Sequence, residues 1–394
     1  MLAYTFYEND GRVMRYAETL VREGWTVDAI VLRRDLQPEQ EIINGVNVFR
    51  IQKRIKNESG KLSYLNRILK FLFHSMFEIT RRHLKEPYDL IHVHSVPDFE
   101  VFAAFVAKLK GAKIILDIHD IVPEFYAAKF NVREDSLIFS ALKLIEKLSA
   151  SFANHVIIAN DLWLDKITAR SINRDKCSSF INYPDLSIFH PGLRTRNADG
   201  KFIILYPGTL NWHQGLDLAV KAVALAQQEA PSIELHIVGE GSEKPELYKL
   251  VEELHLNDKV FISASVPLRE IALVMANADL GIVPKRNDSF GGDAFSTKIL
   301  EFMALGVPLV VADTRIDKYY FNESLLMYFK SGDEKDLARV MVDTYHNREQ
   351  NSQLAARALE YARDNSWGGK SGEYMAIVNE LVNGPHTGAL GKCA

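Results

Sequence analysis

Asp293 and Glu301 stand eight residues apart in Asp293-Ala-Phe-Ser-Thr-Lys-Ile-Leu-Glu301, with Ser296, Thr297 and Lys298 between them. Ser296 or Thr297 can cap the amphipathic pattern that follows, and Gly306 can close that helix. The free amides of a helix start, with the dipole behind them, make an anion site. Lys298 in the first turn is unfavourable for the dipole and useful beside a phosphate. Glu301, one turn in, can accept hydrogen bonds from a ribose. The plainer reading is a capped helix with a solvated Asp293 and a packed Glu301.

Such residues need a scaffold that aims a helix tip at a ligand. Short apolar runs alternate with helical patterns along most of the chain, which predicts an α/β fold with parallel sheets covered on both faces. Strands are predicted at Leu2–Phe6, Thr26–Leu32, Val46–Ile51, Leu90–His94, Lys113–Asp117 and Val156–Ala159. Helices are predicted at Arg12–Glu23, from about Asp98 to Lys110, and near Ser136–Phe152. The rhythm breaks at Asn182-Tyr-Pro-Asp185 and His190-Pro-Gly192, and the polar stretch after it reads as a linker. A second set of strands then runs through Phe202–Tyr206, Ile233–Val238, Val260–Ile262, Leu280–Val283 and Pro308–Ala312. The expected organisation is an N-terminal Rossmann-like domain over 1–192, a linker over 193–201 and a C-terminal Rossmann-like domain over 202–365. A tail over 366–394 has the first domain as the surface it can pack back on. Two doubly wound halves facing each other across a cleft would bind ligands at the C-terminal ends of their strands.

The bulk numbers agree with that plan. A chain of 394 residues is too long for one ordinary core. With 47% hydrophobic and 25% charged residues it reads as soluble and globular, and a net charge of −4 gives no pointer to nucleic acid. Cys177 and Cys393 form neither a zinc spacing nor a disulfide framework, which fits a reducing cytosol. No basic-flanked apolar leader opens the sequence, and no apolar run reaches the roughly 18 residues of a membrane span.

The Asp293–Glu301 stretch is similar to the acidic-x7-Glu motif of family 4 glycosyltransferases, retaining enzymes of the GT-B fold. The resemblance implies that Glu301 holds the ribose hydroxyls of a nucleotide and that Asp293 lies near the donor sugar. The family usually has Glu at the first position, so Asp293 is a shorter arm. Tyr206-Pro-Gly-Thr-Leu-Asn-Trp-His-Gln-Gly215 resembles the family's phosphate loop, with Thr209 where an Arg is usual and Gln214 where a Lys is usual. The backbone at Gly208 can still approach a phosphate, and Thr209, Asn211 or Gln214 can donate to it. Positive charge must then come from Lys298, Lys285 or Arg286. Val238-Gly-Glu-Gly241 matches a family turn, and the base contact maps near Ser263–Pro267. Leu116-Asp-Ile-His119-Asp120 resembles the strand end whose His bonds the transferring sugar, which makes His119 the expected contact at the catalytic centre.

On the acceptor side, Asp10, Gly11 and Arg12 occupy the first loop, where the family commonly has a Gly-Gly turn. Arg12 or Arg15 can meet a phosphate, an acidic acceptor, or only Glu8 and Asp10. His92 and His94 share one face of a strand, and His94 at its end is expected to line the cleft. No third ligand has metal spacing, so no metal site is read. Residues 52–86 carry nine Lys/Arg against three Glu. Within them Leu65, Ile68, Leu69, Leu72, Phe73, Met76 and Phe77 fall at helical spacing. A basic helix with an apolar face can lie on anionic lipid, or it can pack on the sheet with its basic face solvated.

The resulting expectation is a retaining, metal-independent glycosyltransferase of polysaccharide biosynthesis. It would move a sugar from a nucleotide diphosphate sugar to a glycan, lipid-linked or small-molecule acceptor, with no cofactor besides the donor. The expected place is the cytoplasm, with peripheral contact at the inner face of a membrane through 52–86. In the family a front-face mechanism without a protein nucleophile is favoured. Two alternatives stay open: a nucleotide-sugar epimerase of the same fold, and a non-catalytic nucleotide-sugar-binding subunit, which the missing Arg and Lys favour. A dehydrogenase is disfavoured, because no Gly-x-Gly-x-x-Gly follows the first strand.

Overall fold

A computed structural model describes residues 1–54, 61–130, 132–133, 135–196, 200–288 and 290–384. It divides into two compact units, one of Met1–Ile181 with the chain from Ser371 onward, the other of Asn182–Lys370. The first contains β1 (Leu2–Ala3), α1 (Gly11–Arg22), β2 (Asp28–Arg33), β3 (Gln40–Ile43), β4 (Val46–Lys53), α2 (Lys61–Lys85) and β5 (Leu90–His94). It continues through α3 (Phe105–Leu109), β6 (Lys113–Ile118), α4 (Val122–Phe130), α5 (Leu137–Phe152), β7 (His155–Ile158), α6 (Asp161–Arg170) and β8 (Cys177–Ser179). The strands pair in the order β3-β4-β2-β1-β5-β6-β7-β8. All neighbours are parallel except β3 and β4. Strand β6, Lys-Ile-Ile-Leu-Asp-Ile, is buried at every residue but its first, as a strand covered on both faces requires.

The second unit contains β9 (Phe202–Pro207), α7 (Leu216–Ala226), β10 (Ile233–Val238), α8 (Lys244–Glu253), β11 (Val260–Ser263), α9 (Leu268–Ala276) and β12 (Leu280–Val283). Then come α10 (Thr297–Ala304), β13 (Leu309–Ala312), α11 (Arg315–Tyr320), β14 (Met327–Phe329), α12 (Glu334–His346) and α13 (Arg348–Asp364). Helix α14 (Trp367–Asn383) starts in this unit and ends in the first. The sheet is wholly parallel in the order β11-β10-β9-β12-β13-β14. Its core packs Ile204, Leu235, Ile237 and Ile282 from the strands against Val220 and Val223 of α7 and Met341 of α12.

Several elements depart from the sequence pattern for visible reasons. The expected helix over 98–110 begins as a 3₁₀ turn, Asp98–Ala104, and only then becomes α3. Strand β3, unread in the sequence, returns on β4 through Asn44 and Gly45, with φ of 49° and 82°, the two left-handed residues of a tight hairpin. The unit boundary falls at Ile181 and Asn182, ahead of the expected linker over 193–201. Arg194 and Arg196 of that stretch are fastened inside the second unit. Arg194 donates to the Ala276 and Ala278 carbonyls, and Arg196 bonds Asp279 Oδ2 at 2.6 Å. Tyr374, from the stretch read as a tail, is fully buried in the first unit, 3.1 Å from His92 Nδ1.

Candidate active site

At the end of β9 the chain turns through Gly208 at φ 137°. A Cβ there would stand 2.5 Å from Lys298 Cε and 3.0 Å from Nζ, so the Lys298 amine lies directly against this turn. Gly239, after β10, must be bare for a related reason: its Cβ would come within 1.8 Å of the Gly208 carbonyl. The Tyr206 ring lies 5.1 Å from the amine, and its hydroxyl is 2.9 Å from both the Thr209 carbonyl and Gln214 Oε1. Desolvation pushes the Lys298 amine down to about 8, with Glu301 one turn on pulling it back up. Among the described residues this amine has no hydrogen-bond or ion-pair partner.

Lys298 sits in the first turn of α10, whose Ile299, Leu300, Phe302 and Met303 are buried. Ser296 caps that helix by position, but among the described residues its side chain accepts no amide and its buried Oγ has no partner. Thr297 and Glu301 are half-buried on the same helix. A helix start with open amides, an unsatisfied hydroxyl and an unpaired amine is organised to receive an anion.

Two expected donor contacts are used differently. Lys285 turns inward, where Nζ donates to the Ala294 carbonyl at 2.7 Å and pairs with Asp317 at 3.0 Å. Burial pushes the Lys285 amine down and the Asp317 carboxyl up, and each charge opposes the shift of the other. Lys285 therefore fixes the loop that carries Asp293 instead of presenting charge at the surface. Arg286 is committed as well: its guanidinium bonds both oxygens of Asp217 and lies 4.5 Å over the Trp212 ring. The same loop is tied at Asp288, which bonds His213 Nδ1 at 2.7 Å and the Gly291 amide at 2.7 Å. Asp293 is buried, with Arg315 3.7 Å away. Residues 264–267, expected near the base, form an exposed loop after β11.

In the first unit Asp10 and Gly11 follow β1, His94 ends β5 and His119 follows β6, so all lie at the C-terminal edge of the sheet. Asp10 caps α1 by accepting the Val13 amide at 3.1 Å. Arg12 does not pair with Glu8 or Asp10, and it is not a surface group. It is buried, donates to both Asp117 oxygens at 2.8 Å, and donates to the Phe180 carbonyl at 2.7 Å. His94 is likewise buried below the edge, with Nδ1 3.1 Å from Asp117 Oδ2. His119 Nε2 lies 3.1 Å from the same oxygen. Burial works to raise the Asp117 carboxyl, yet Arg12, then His119 and His94, hold it well below the usual range. Desolvation lowers His94 and lowers His92 further.

An ionised carboxylate only accepts, so the imidazole nitrogens facing Asp117 carry their protons. In its neutral form the His119 ring then has a bare Nδ1, and that atom takes no partner among the described residues. It can accept a hydrogen bond from a sugar hydroxyl. Ligand atoms of His92, His94 and Asp117 lie within 4.8 Å of one another. The Arg12 guanidinium already occupies both Asp117 oxygens, which makes the group a buried ion pair beneath two imidazoles stacked at 4.2 Å.

The sequence reading missed Asp117, Tyr206, Asp317 and Tyr374 as organisers. Asp117 had a signal: it sits two residues before His119 at a strand end and so shares its face. Tyr374 lies 282 residues from His92 and had none.

This architecture is that of the GT-B glycosyltransferases. Sucrose-phosphate synthase from Thermosynechococcus elongatus aligns at a TM-score of 0.79 and 16% identity, covering 98% of this chain and 99% of that one. HepE of Anabaena, solved in complex with UDP and glucose, aligns at a TM-score of 0.73 and 14% identity, covering 96% of this chain and 98% of that one. The family model described as Glycosyl transferases group 1 matches residues 194–363, and the one described as Glycosyl transferase 4-like domain matches 11–179. The chain belongs to the family 4 glycosyltransferases and is an enzyme of that class. Among curated relatives it is 24% identical to a D-inositol 3-phosphate glycosyltransferase of Thermomonospora curvata, over 96% of this chain and 92% of that protein. It is also 24% identical to the enzyme of that name from Thermobifida fusca, over 76% of this chain and 71% of that protein.

Proposed function

We propose that this enzyme transfers a sugar from a nucleoside diphosphate sugar to an acceptor hydroxyl with retention of anomeric configuration. The donor's diphosphate binds at the tip of α10, and the observation that carries this is the unpaired Lys298 amine against Gly208. Lys298 supplies the cation that Thr209 and Gln214 do not, and the Ser296–Lys298 amides add their dipole. Gly208, Thr209 and Gln214 line the diphosphate, Glu301 takes the ribose, and Asp293 sits by the sugar. Lys285 acts through Ala294 by holding the loop.

As the bond from C1 to the diphosphate oxygen breaks, charge builds on that oxygen. Groups fixed there stabilise the transition state more than the bound donor. A new bond forms from C1 to the acceptor oxygen on the same face, and the acceptor's proton leaves with the diphosphate. His119 Nδ1 accepts from a sugar hydroxyl and orients it. With Lys298 in this role no catalytic metal is needed, so turnover should survive a chelator. HepE was solved with UDP and with UDP-glucose, which makes UDP-hexoses the first donors to try.

The acceptor classes are a glycan, a lipid-linked sugar or a small molecule, in the cytoplasm, with peripheral membrane contact through 52–86. Residues 55–60 of that segment lie outside the described residues. Among the described residues no helix is long and apolar enough to cross a membrane.

Proton NMR of the reaction mixture tests the proposal. A product with the donor's anomeric configuration, formed only when acceptor is present, is expected. An inverted product would refute retention. Conversion of the nucleotide sugar without acceptor would make the protein an epimerase. Donor binding with neither reaction would make it a binding subunit.

A further inference from the structure

Strands β5 and β6 are neighbours, and the turns after them carry polar groups with unspent hydrogen bonds. Ser95 and Asp98 stand in the turn after β5, and Asp120 comes directly after His119 at the end of β6. Ser95 is 3% and Asp98 2% exposed. Ser95 Oγ and Asp98 Oδ1 nevertheless have no hydrogen-bond partner among the described residues. Asp120 is half-buried, and among the described residues its carboxylate has neither a hydrogen bond nor an ion pair. Burial drives the Asp98 carboxyl up to about 7; the Ser95 hydroxyl is near enough to pull it back, and Asp120 adds to the rise, so the three groups are neighbours. Burial raises Asp120 as well, and His119 opposes that shift.

Arg12 and Arg170 do not balance these acids. Arg12 is closed on Asp117, and Arg170 is shared between Glu124 and Glu146. Neither Asp98 nor Asp120 belongs to a group of three side chains that could hold a metal ion among the described residues. Buried polar atoms are nearly always satisfied, so open ones mark a place that water or a ligand completes. Here the open atoms run from a buried turn out to a half-buried carboxylate, so the gap is reached from outside. A molecule that brings several O–H groups fits it, because an ionised carboxylate accepts such bonds strongly. A phosphate brings acceptor oxygens and a second negative charge, which Asp120 repels.

We propose that Ser95, Asp98 and Asp120 form an acceptor subsite for the hydroxyls of a neutral sugar or polyol, with Asp120 accepting from them, and that this subsite turns away a phosphorylated acceptor. The proposal rests on the transferase reading above and sets the chemistry of its acceptor. His119, one residue earlier, serves the donor sugar through Nδ1. Two successive residues after β6 thus address the two substrates.

Saturation-transfer NMR on the full chain, with and without UDP, tests the subsite. The probes are the methyl α-glycosides of glucose, galactose and mannose, and the same glycosides phosphorylated on the primary hydroxyl. In wild type a neutral glycoside should bind about tenfold more tightly than its phosphorylated form. Asp120→Asn should lose about tenfold in affinity for that glycoside, with UDP affinity unchanged. Asp120→Lys should reverse the order and favour the phosphorylated form, which a merely structural Asp120 would not do. Asp98→Asn, which keeps the side-chain shape, should weaken the glycoside by about threefold. Equal glycoside affinity in wild type and Asp120→Asn would overturn the proposal. So would a wild type that binds none of the neutral glycosides, or that binds the phosphorylated forms as tightly. UDP binding that persists in such a case would leave the transferase reading standing. Glycoside binding that depends on Asp120, in a protein that fails to bind UDP, would do the reverse.

Discussion

Asp117 Oδ2 lies 3.1 Å from His119 Nε2, and Arg12 grips the same carboxylate through two bonds of 2.8 Å. One residue from α1 thereby holds the carboxylate that faces a histidine after β6.

The neutral His119 ring should carry its proton on Nε2, because Asp117 can only accept there. Nitrogen-15 chemical shifts of the imidazole, in the intact protein at neutral pH, read this directly. Predominant protonation at Nδ1 would contradict the arrangement. Asp117→Asn should lower kcat for transfer with little change in donor KM and mix the two tautomers.

Removing either partner of the buried pair leaves the other charge uncompensated. Asp117→Ala and Arg12→Ala should each cost about 3–5 kcal/mol of folding stability. Urea unfolding should find the double variant well short of the sum. Strict additivity would mean that the two do not act as a pair.

Desolvation sets the Lys298 amine at about 8, so it is charged below that pH and loses its charge above it. Affinity for a nucleoside diphosphate should therefore be greatest below pH 8 and fall as the pH rises through it. A bound diphosphate favours the charged form and moves the fall upward. In Lys298→Arg, whose guanidinium stays charged, the fall should vanish. Calorimetric titrations across pH 7 to 9, roughly the range in which a lowered lysine loses its proton, make the comparison. An unchanged fall in the arginine variant would assign the titration to another group.

Gly208→Ala should damage donor binding more than folding. Its φ of 137° is hard for alanine, and the new Cβ would meet Lys298 Cε at 2.5 Å. A rise in donor KM of about tenfold or more is expected, with a stability loss of about 1–3 kcal/mol. Gly11→Ala, where a Cβ meets nothing within 4 Å, is the matched control and should leave KM near wild type.

The fold was readable where strands are buried on both faces. Leu280–Val283 is an unbroken apolar run, Ile233–Val238 keeps its apolar residues around Glu234 and His236, and the structure has strands over those same residues. Strand β3 was not, because Gln40–Ile43 is a four-residue stretch with two polar residues and little burial. Its only mark is the Asn44-Gly45 turn that a reading for parallel strands passes over. Expectations for Lys285, Arg12 and His94 followed from their places at strand ends or in a loop. Whether a side chain there faces solvent depends on partners distant in sequence, Asp317 for Lys285 and Asp117 for the other two. The place of Lys298 in the first turn of α10 was readable because Ser296–Glu301 is one continuous motif, but its approach to Gly208 and Tyr206, distant in sequence, was not.

Calorimetric titration of UDP into wild type and Lys298→Met at neutral pH tests the central claim most directly. The account predicts wild-type binding and a loss of about 10- to 100-fold in the variant, the scale of one charge-assisted contact. Equal affinity in the two proteins would contradict it.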